Sequence, residues 1–341
     1  MRPSDRAVVV GITGYPALGD LVGTANDARD FATWLADDAG GGLQDDQISL
    51  ILSENGGEPS EPWSARPSTT EIDSAFDRII HEKMEEYRDG WGPTGRLYMF
   101  FAGHGLAPDP DDAALLAANS SWQAVGHHIP GRAYANWFRA GAYFEEVILL
   151  MDCCRDDYPL APWRIPPWPA AHRPEGADVR YLFGFATKWA RQARARPADD
   201  PGEIHGYFTA ALLEGLRGAP AAVKDGRVTA DSLADYVYNR VREITPRECF
   251  QEPEFDRSPD ADAIVLSRHE TVRPRLVIHL GAGPGPADVA LIDGRNRPVA
   301  LPDPLEGRIE VEVDPGIYLL QVRGEEQFFQ VTDRGPRHVH A

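Results

Sequence analysis

Short, nearly unbroken apolar runs alternate along the chain with stretches whose apolar residues recur every three or four positions. Ala7–Ile12, Gln47–Leu52, Arg96–Phe101, Val147–Asp152, Tyr181–Ala186 and Ala263–Leu266 read as strands. The third and fourth are so uniformly apolar that both of their faces must be covered. Between the strands, Asn26–Asp38 reads as a helix, and Ser68-Thr-Thr-Glu71 has the form of a capping box opening a second, in which Ile72, Phe76, Ile79 and Ile80 share one face. Further helices are expected at Ala133–Ala140, at Gly206–Gly218 with Phe208, Leu212, Leu213 and Leu216 on one side, and at Ala230–Ile244. This alternation predicts an α/β fold, a mainly parallel sheet flanked by helices.

After about Glu270 the pattern changes to short alternating runs separated by turn signals: Arg275–Leu280, Ala287–Ile292, Arg308–Val313 and Ile317–Val322, with Asp293-Gly294 and Asp314-Pro-Gly316 between them. The expectation is two domains, 1–270 and 271–341, the second a small all-β, sandwich-like accessory domain. Gly56–Pro67 and the proline-rich Asp156–Asp178 read as long surface loops, because repeated prolines forbid a helix or a central strand.

Composition narrows the function classes. With 34 Lys+Arg against 53 Asp+Glu, the 341-residue chain carries a net charge of −19. Such a charge disfavours nucleic acids and anionic membrane surfaces and favours basic peptides and cations. No stretch approaches the ~18 uncharged apolar residues of a membrane span, and the N-terminus does not read as a leader, so a cytoplasmic location is expected. Three cysteines, two of them adjacent (Cys153, Cys154, Cys249), supply neither a disulfide framework nor a four-cysteine zinc site, which turns attention to single-thiol chemistry.

Two strand ends carry that chemistry: Phe100-Phe-Ala-Gly-His104-Gly105 and Leu149-Leu-Met-Asp152-Cys153-Cys154-Arg155. In open parallel sheets the carboxyl edge is where active sites lie. An imidazole and a thiol delivered there can act as base and nucleophile, and the backbone N–H groups of Gly105 and Cys154 are candidate oxyanion donors. Alternation puts Cys154 on the same side as Asp152 and sends Cys153 to the opposite side, to pack as a small hydrophobe.

The 50-residue spacing from His104 to Cys154 matches the separation of about 50 between the caspase histidine and cysteine. With Gly19-Asp-Leu-Val-Gly-Thr-Ala-Asn-Asp27-Ala28, Phe185-Ala-Thr187, Gln192-Ala193 and His205-Gly-Tyr-Phe-Thr-Ala-Ala-Leu-Leu-Glu-Gly-Leu216 in order, residues 5–267 resemble the prokaryotic caspase-like proteases of the metacaspase and orthocaspase group, peptidase family C14. The resemblance implies a caspase-like sheet, His104 and Cys154 as catalytic dyad, and Asp27 and Asp152 lining the pocket for the residue before the cut bond. Two carboxylates there favour Arg or Lys. Thr24 stands where many metacaspases have a cysteine, and Ala102 where a serine is common.

The expected function is therefore a cysteine endopeptidase cutting after basic residues. The family adds a bacterial stress, cell-death or phage-defence setting, with activity held back until a signal or partner protein arrives. A catalytically silent caspase-like scaffold and a thiol hydrolase of small amides or esters are the alternatives. No cofactor is required and no metal site is expected. Calcium dependence stays open, since Asp109-Pro-Asp111-Asp112 lacks the glycine and distal glutamate of an EF-hand loop. Arg191 and Arg194 are candidate self-cleavage sites in what otherwise reads as a charged surface loop.

Overall fold

The computed structural model describes residues 3–53, 61–88, 92–107, 109–157, 164–169, 178–196, 204–247, 250–269, 274–280, 289–294, 296–305, 307–314, 316–323, 325–331 and 337–340. They form two compact units, Met1–His269 and Glu270–Ala341. Cys249 and parts of both long loops lie outside the described residues.

In the first unit the elements follow in the order β1 (Arg6–Gly11), α1 (Thr24–Ala36), β2 (Ile48–Leu52), α2 (Thr69–Arg88), β3 (Arg96–Gly103), β4 (Gly105–Ala107), β5 (Ala114–Leu116), β6 (His128–Pro130), α3 (Gly131–Gly141), β7 (Glu146–Cys153), β8 (Asp156–Asp157), β9 (Arg180–Phe185), β10 (Ala195–Arg196), β11 (His205–Gly206), α4 (Tyr207–Leu216), β12 (Arg227–Thr229), α5 (Ala230–Ile244), β13 (Glu254–Arg257) and β14 (Val265–Arg268). The central sheet has the order β13-β9-β7-β3-β1-β2, parallel throughout except for β13.

Alternation along the two innermost strands sorts the core into two layers. Leu97, Met99 and Phe101 of β3 and Leu149, Met151 and Cys153 of β7 pack with α2 and α3 residues such as Ile72, Phe76 and Phe138. Tyr98 and Phe100, with Ile148 and Leu150, pack with Phe31 of α1, Phe208 of α4 and Val237 of α5. Every residue of β3 and β7 is buried, as strands covered on both faces must be.

The helices begin where local chemistry allows. Ser68 N–H donates to Glu71 Oε2 at 3.0 Å, the capping contact expected there. The Asp112 carboxylate caps α3 from a distance, accepting from Arg132 N–H at 2.8 Å and Ala133 N–H at 3.1 Å, and from Ala113 N–H at 2.7 Å. Asp109 Oδ1 is held by Asp111 N–H. The carboxylates of Asp109 and Asp112 are thus engaged by backbone N–H groups.

Two strand expectations need correction. The sixth strand of the main sheet is β13, not Ala263–Leu266; the later segment forms β14 and pairs with β12 in a separate ribbon. The four residues of β13 are all half-buried at the sheet edge, so Glu254-Phe-Asp-Arg257 has no apolar run to betray it. Within the proline-rich loop, Asp156 and Asp157 pair in parallel with Leu106 and Ala107.

The second unit contains β15 (Arg275–His279), β16 (Val289–Asp293), β17 (Pro298–Val299), β18 (Arg308–Glu312), β19 (Gly316–Val322), β20 (Glu325–Val331) and β21 (Arg337–His340). They form one sheet of order β18-β15-β21 and one of order β17-β16-β19-β20 around Leu276, Ile278, Leu291, Ile309, Leu320 and Phe329. Strand β20, Glu-Glu-Gln-Phe-Phe-Gln-Val, escaped the sequence reading because only Phe329 and Val331 of it are buried.

Candidate active site

The carboxyl ends of β3 and β7 lie side by side, with Ala102 paired to Asp152 and Gly103 to Cys153. The residues just beyond them open into a cavity of about 320 Å³. His104, Gly105, Cys154, Asp152 and Asp27 all line it, so every site residue expected from sequence converges on one place.

Parity along β7 behaves as alternation requires. Cys153 is buried among the α2/α3 core residues with its Sγ 3.5 Å from Phe101 O, while Cys154 faces the cavity. The turn after Cys154 is pinned by Arg155. Its fully buried guanidinium donates to Thr187 O (3.2 Å), Pro110 O (2.6 Å) and Glu254 Oε2 (2.6 Å), and lies 4.8 Å from the Phe185 ring centre. Gly105 has to be glycine. A Cβ there would come within 2.5 Å of Cys154 O and 2.6 Å of Cys153 Cβ, so the absence of a side chain lets the two strand ends meet.

His104 is oriented from two sides. Its Nε2 lies 2.9 Å from Gly19 O, and since a carbonyl only accepts, Nε2 donates to it, which in the neutral ring puts the lone pair on Nδ1. Buried Tyr15 meets the imidazole edge-on with centroids 4.7 Å apart, accepts from His104 N–H at 3.0 Å and donates to Leu116 O at 2.9 Å. Burial pushes the Cys154 thiol up to about 11, and its Sγ sits 3.8 Å from Ala193 O. The resting thiol is therefore protonated at neutral pH.

Asp27, on the first turn of α1, is 2 % exposed and Asp152 6 %. Asp152 Oδ2 accepts from Thr209 N–H (3.1 Å) and Thr209 Oγ1 (2.7 Å). Asp27 accepts from Gly206 N–H at 3.1–3.2 Å and from His205 Nδ1 at 2.9 Å. Burial, then the neighbouring charge of Asp27, push Asp152 up to about 7. Burial raises Asp27 as well, opposed by the bonds from His205 and Gly206.

A model of the caspase domain of peptidase family C14 matches residues 4–264. The chain belongs to that family. Among solved structures, it is similar to the crystal structure of caspase-1 from Spodoptera frugiperda at 13% identity, over 74% of this chain and 86% of that one, with a TM-score of 0.48. No curated protein matches. C14 proteins are peptidases of the cysteine type, and their substrates are proteins or peptides.

For this C14 chain the structure adds residues to which sequence reasoning gave no place in the pocket. Asp156 lines the cavity beside Cys154; burial raises its carboxyl, and a bond from Gln192 and the nearness of His104 pull it back. The segment Gln192–Ala195 forms a wall of the cavity. The side chain of its one arginine, Arg194, is exposed, but Arg194 N–H donates to Gln251 Oε1 (3.0 Å) and Arg194 O accepts from Tyr207 N–H (3.1 Å). Trp122 and Val22 stand exposed at the rim. Asp156 and Trp122 sit in no motif, while Val22 and Gln192-Ala193 belong to the ordered motifs; in both cases only proximity in the fold brings them to the cavity. Among the described residues no helix is long and apolar enough to cross a membrane.

Proposed function

We propose that this protein is a cysteine endopeptidase that cuts after Arg or Lys, with Cys154 as nucleophile and His104 as general base and acid. One observation carries the reading: a thiol, an imidazole with its Nδ1 lone pair available, and two buried carboxylates line a single cavity at the carboxyl edge of a parallel sheet.

The chemistry follows from these groups. The Cys154 Sγ–H proton passes to His104 Nδ1 as Sγ bonds to the substrate carbonyl carbon. The backbone N–H groups of Gly105 and Cys154 receive the oxyanion. When the C–N bond breaks, the same proton goes to the departing amine, and water activated by His104 then releases the acyl group. The step asks for no metal or cofactor.

Asp27 and Asp152 place two carboxyl groups where the side chain preceding the cut bond enters. Among the described residues no hydrogen bond reaches Asp152 Oδ1, which leaves it to an incoming guanidinium or ammonium group. In cells the reading places the protein in a bacterial stress, cell-death or defence response, restrained until a signal or partner arrives.

Initial rates on fluorogenic peptides carrying Arg, Lys, Asp or Leu before the cut bond test the reading, using wild type, C154A and C153A. Cleavage after Arg or Lys that survives only in wild type and C153A is expected. Activity retained in C154A would overturn the nucleophile assignment. Silence of wild type on every peptide, together with no labelling of Cys154 by a thiol-directed peptide probe, would favour the scaffold alternative.

A further inference from the structure

Asp27, one of the two carboxyl groups that form the pocket for a basic side chain (the basic pocket), is held by a residue outside the cavity lining. His205, on β11, places Nδ1 2.9 Å from Asp27 Oδ1, while its Nε2 lies 3.7 Å from Asp30 Oδ2 on α1. Among the described residues, the charged groups around its ring are Asp27 and Asp30 on α1, Asp152 on β7 and Arg217 just beyond α4. Three carboxylates face it against one guanidinium, an environment that favours imidazolium, and the bond to Asp27 leads in raising its protonation.

Two carboxylates buried together repel, and such a pair relieves the repulsion by keeping one proton. Which of them keeps it decides what the pocket can bind, because a neutral carboxylic acid is a poor partner for a guanidinium. The neighbourhood is asymmetric. Asp27 is met by His205, an imidazole whose protonation that contact favours, whereas Asp152 is met by the neutral hydroxyl and N–H of Thr209. The next residue ties the arrangement together: Gly206 N–H donates to Asp27, and a Cβ at Gly206 would lie 2.1 Å from Asp152 Oδ2. The strand carrying His205 thus touches both carboxylates, one through its side chain and one through the absence of a side chain.

We propose that His205 is a positioning residue of the basic pocket: its Nδ1–H holds Asp27 ionised and fixed in orientation, and so leaves the shared proton on Asp152, to be released when a cationic side chain enters. This rests on the reading of Asp27 and Asp152 as a pocket for Arg or Lys. It adds that recognition is coupled to proton release, so affinity for a basic residue climbs with pH through the neutral range while affinity for an uncharged isostere does not. His205 acts through Asp27 and touches no reacting atom.

The test uses full-length C154A protein, which holds a peptide without cutting it, and calorimetry with a peptide carrying arginine before the cut position or its uncharged isostere citrulline. Titrations run between about pH 5.5 and 8.5 in buffers of differing protonation enthalpy. C154A is expected to prefer the arginine peptide at least about tenfold at the alkaline end and to release protons on binding it near neutrality. C154A/H205Q, which loses the imidazolium, is expected to bind the arginine peptide about tenfold more weakly and to need higher pH to do so, with citrulline binding unchanged. C154A/H205N is equally uncharged, but its amide N–H stands near the place of Nδ1, where the glutamine amide stands nearer that of Nε2, so it should recover part of the affinity but not the pH profile. Unchanged arginine affinity and pH profile in both His205 variants, with the preference over citrulline intact, would overturn the role of His205 and leave the basic pocket standing. No preference for arginine over citrulline in C154A itself would overturn the pocket, and the role of His205 with it. Thermal melts of each variant show which one remains folded to carry the comparison.

Discussion

At the scale of single residues, adjacent cysteines have opposite fates because successive side chains on a strand point to opposite faces. That much follows from the order Asp152-Cys153-Cys154, and Cys153 does pack in the core while Cys154 faces the cavity. What the residue names did not reveal is the state of the carboxyls. Asp152 stands at about 7 in the folded chain against an unfolded value near ~4, so the fold favours its protonated form. The stability this contributes is complete below about pH 4 and is lost as pH rises through about 7. Asp152→Asn, which cannot ionise, should therefore melt with wild type near about pH 4 and several degrees above it near about pH 8, on the order of 2 kcal/mol, while losing most cleavage after Arg. Scanning calorimetry at the two pH values checks the first outcome and peptide rates the second. The same titration in the opposite role should make kcat/KM for an Arg substrate fall as pH drops through about 7 in wild type.

At the scale of elements, the site is assembled where chain segments approach too closely for a side chain. Gly206 makes this testable. Gly206→Ala would push a methyl group into Asp152 Oδ2, so β11 or the carboxylate must shift and basic-residue cleavage should fall by about a hundredfold, with little change in circular dichroism. Asp112 is a purely structural counterpart. Removing its cap on α3 by Asp112→Ala should cost about 1–2 kcal/mol in denaturant titrations and leave the cleavage preference unaltered. Strands β1, β3, β7 and β9 and helix α5 were legible because burial on both faces, or on one helical stripe, imposes a period on the sequence. Strand β13 was not, since an edge strand with half-buried polar residues has no such constraint.

At the scale of the whole molecule, a net charge of −19 surrounds a pocket that is itself anionic. Long-range attraction should speed capture of basic peptides and weaken as salt shortens the range of the field. Raising ionic strength from about 0.02 M to about 0.3 M is expected to lower kcat/KM for an Arg substrate several-fold, mostly through KM, and to leave a thiol-directed uncharged probe reacting with Cys154 at an unchanged rate. Stopped-flow and labelling rates measured in the same buffers separate steering from chemistry.

The sequence alone determined the layered α/β architecture, the two strand ends that bear His104 and Cys154, and which cysteine turns inward, because periodicity and parity are local properties of a chain. It also marked Asp27 and Asp152, through their place in ordered motifs. Tertiary structure alone decided that His205 stands against Asp27, that Tyr15 and Gly19 orient His104, and that Asp156 and the Gln192–Ala195 wall complete the cavity. These contacts join residues up to 178 positions apart, and their energies depend on burial and on the company of other charges. Neither quantity exists until the sheet has brought its strand ends together.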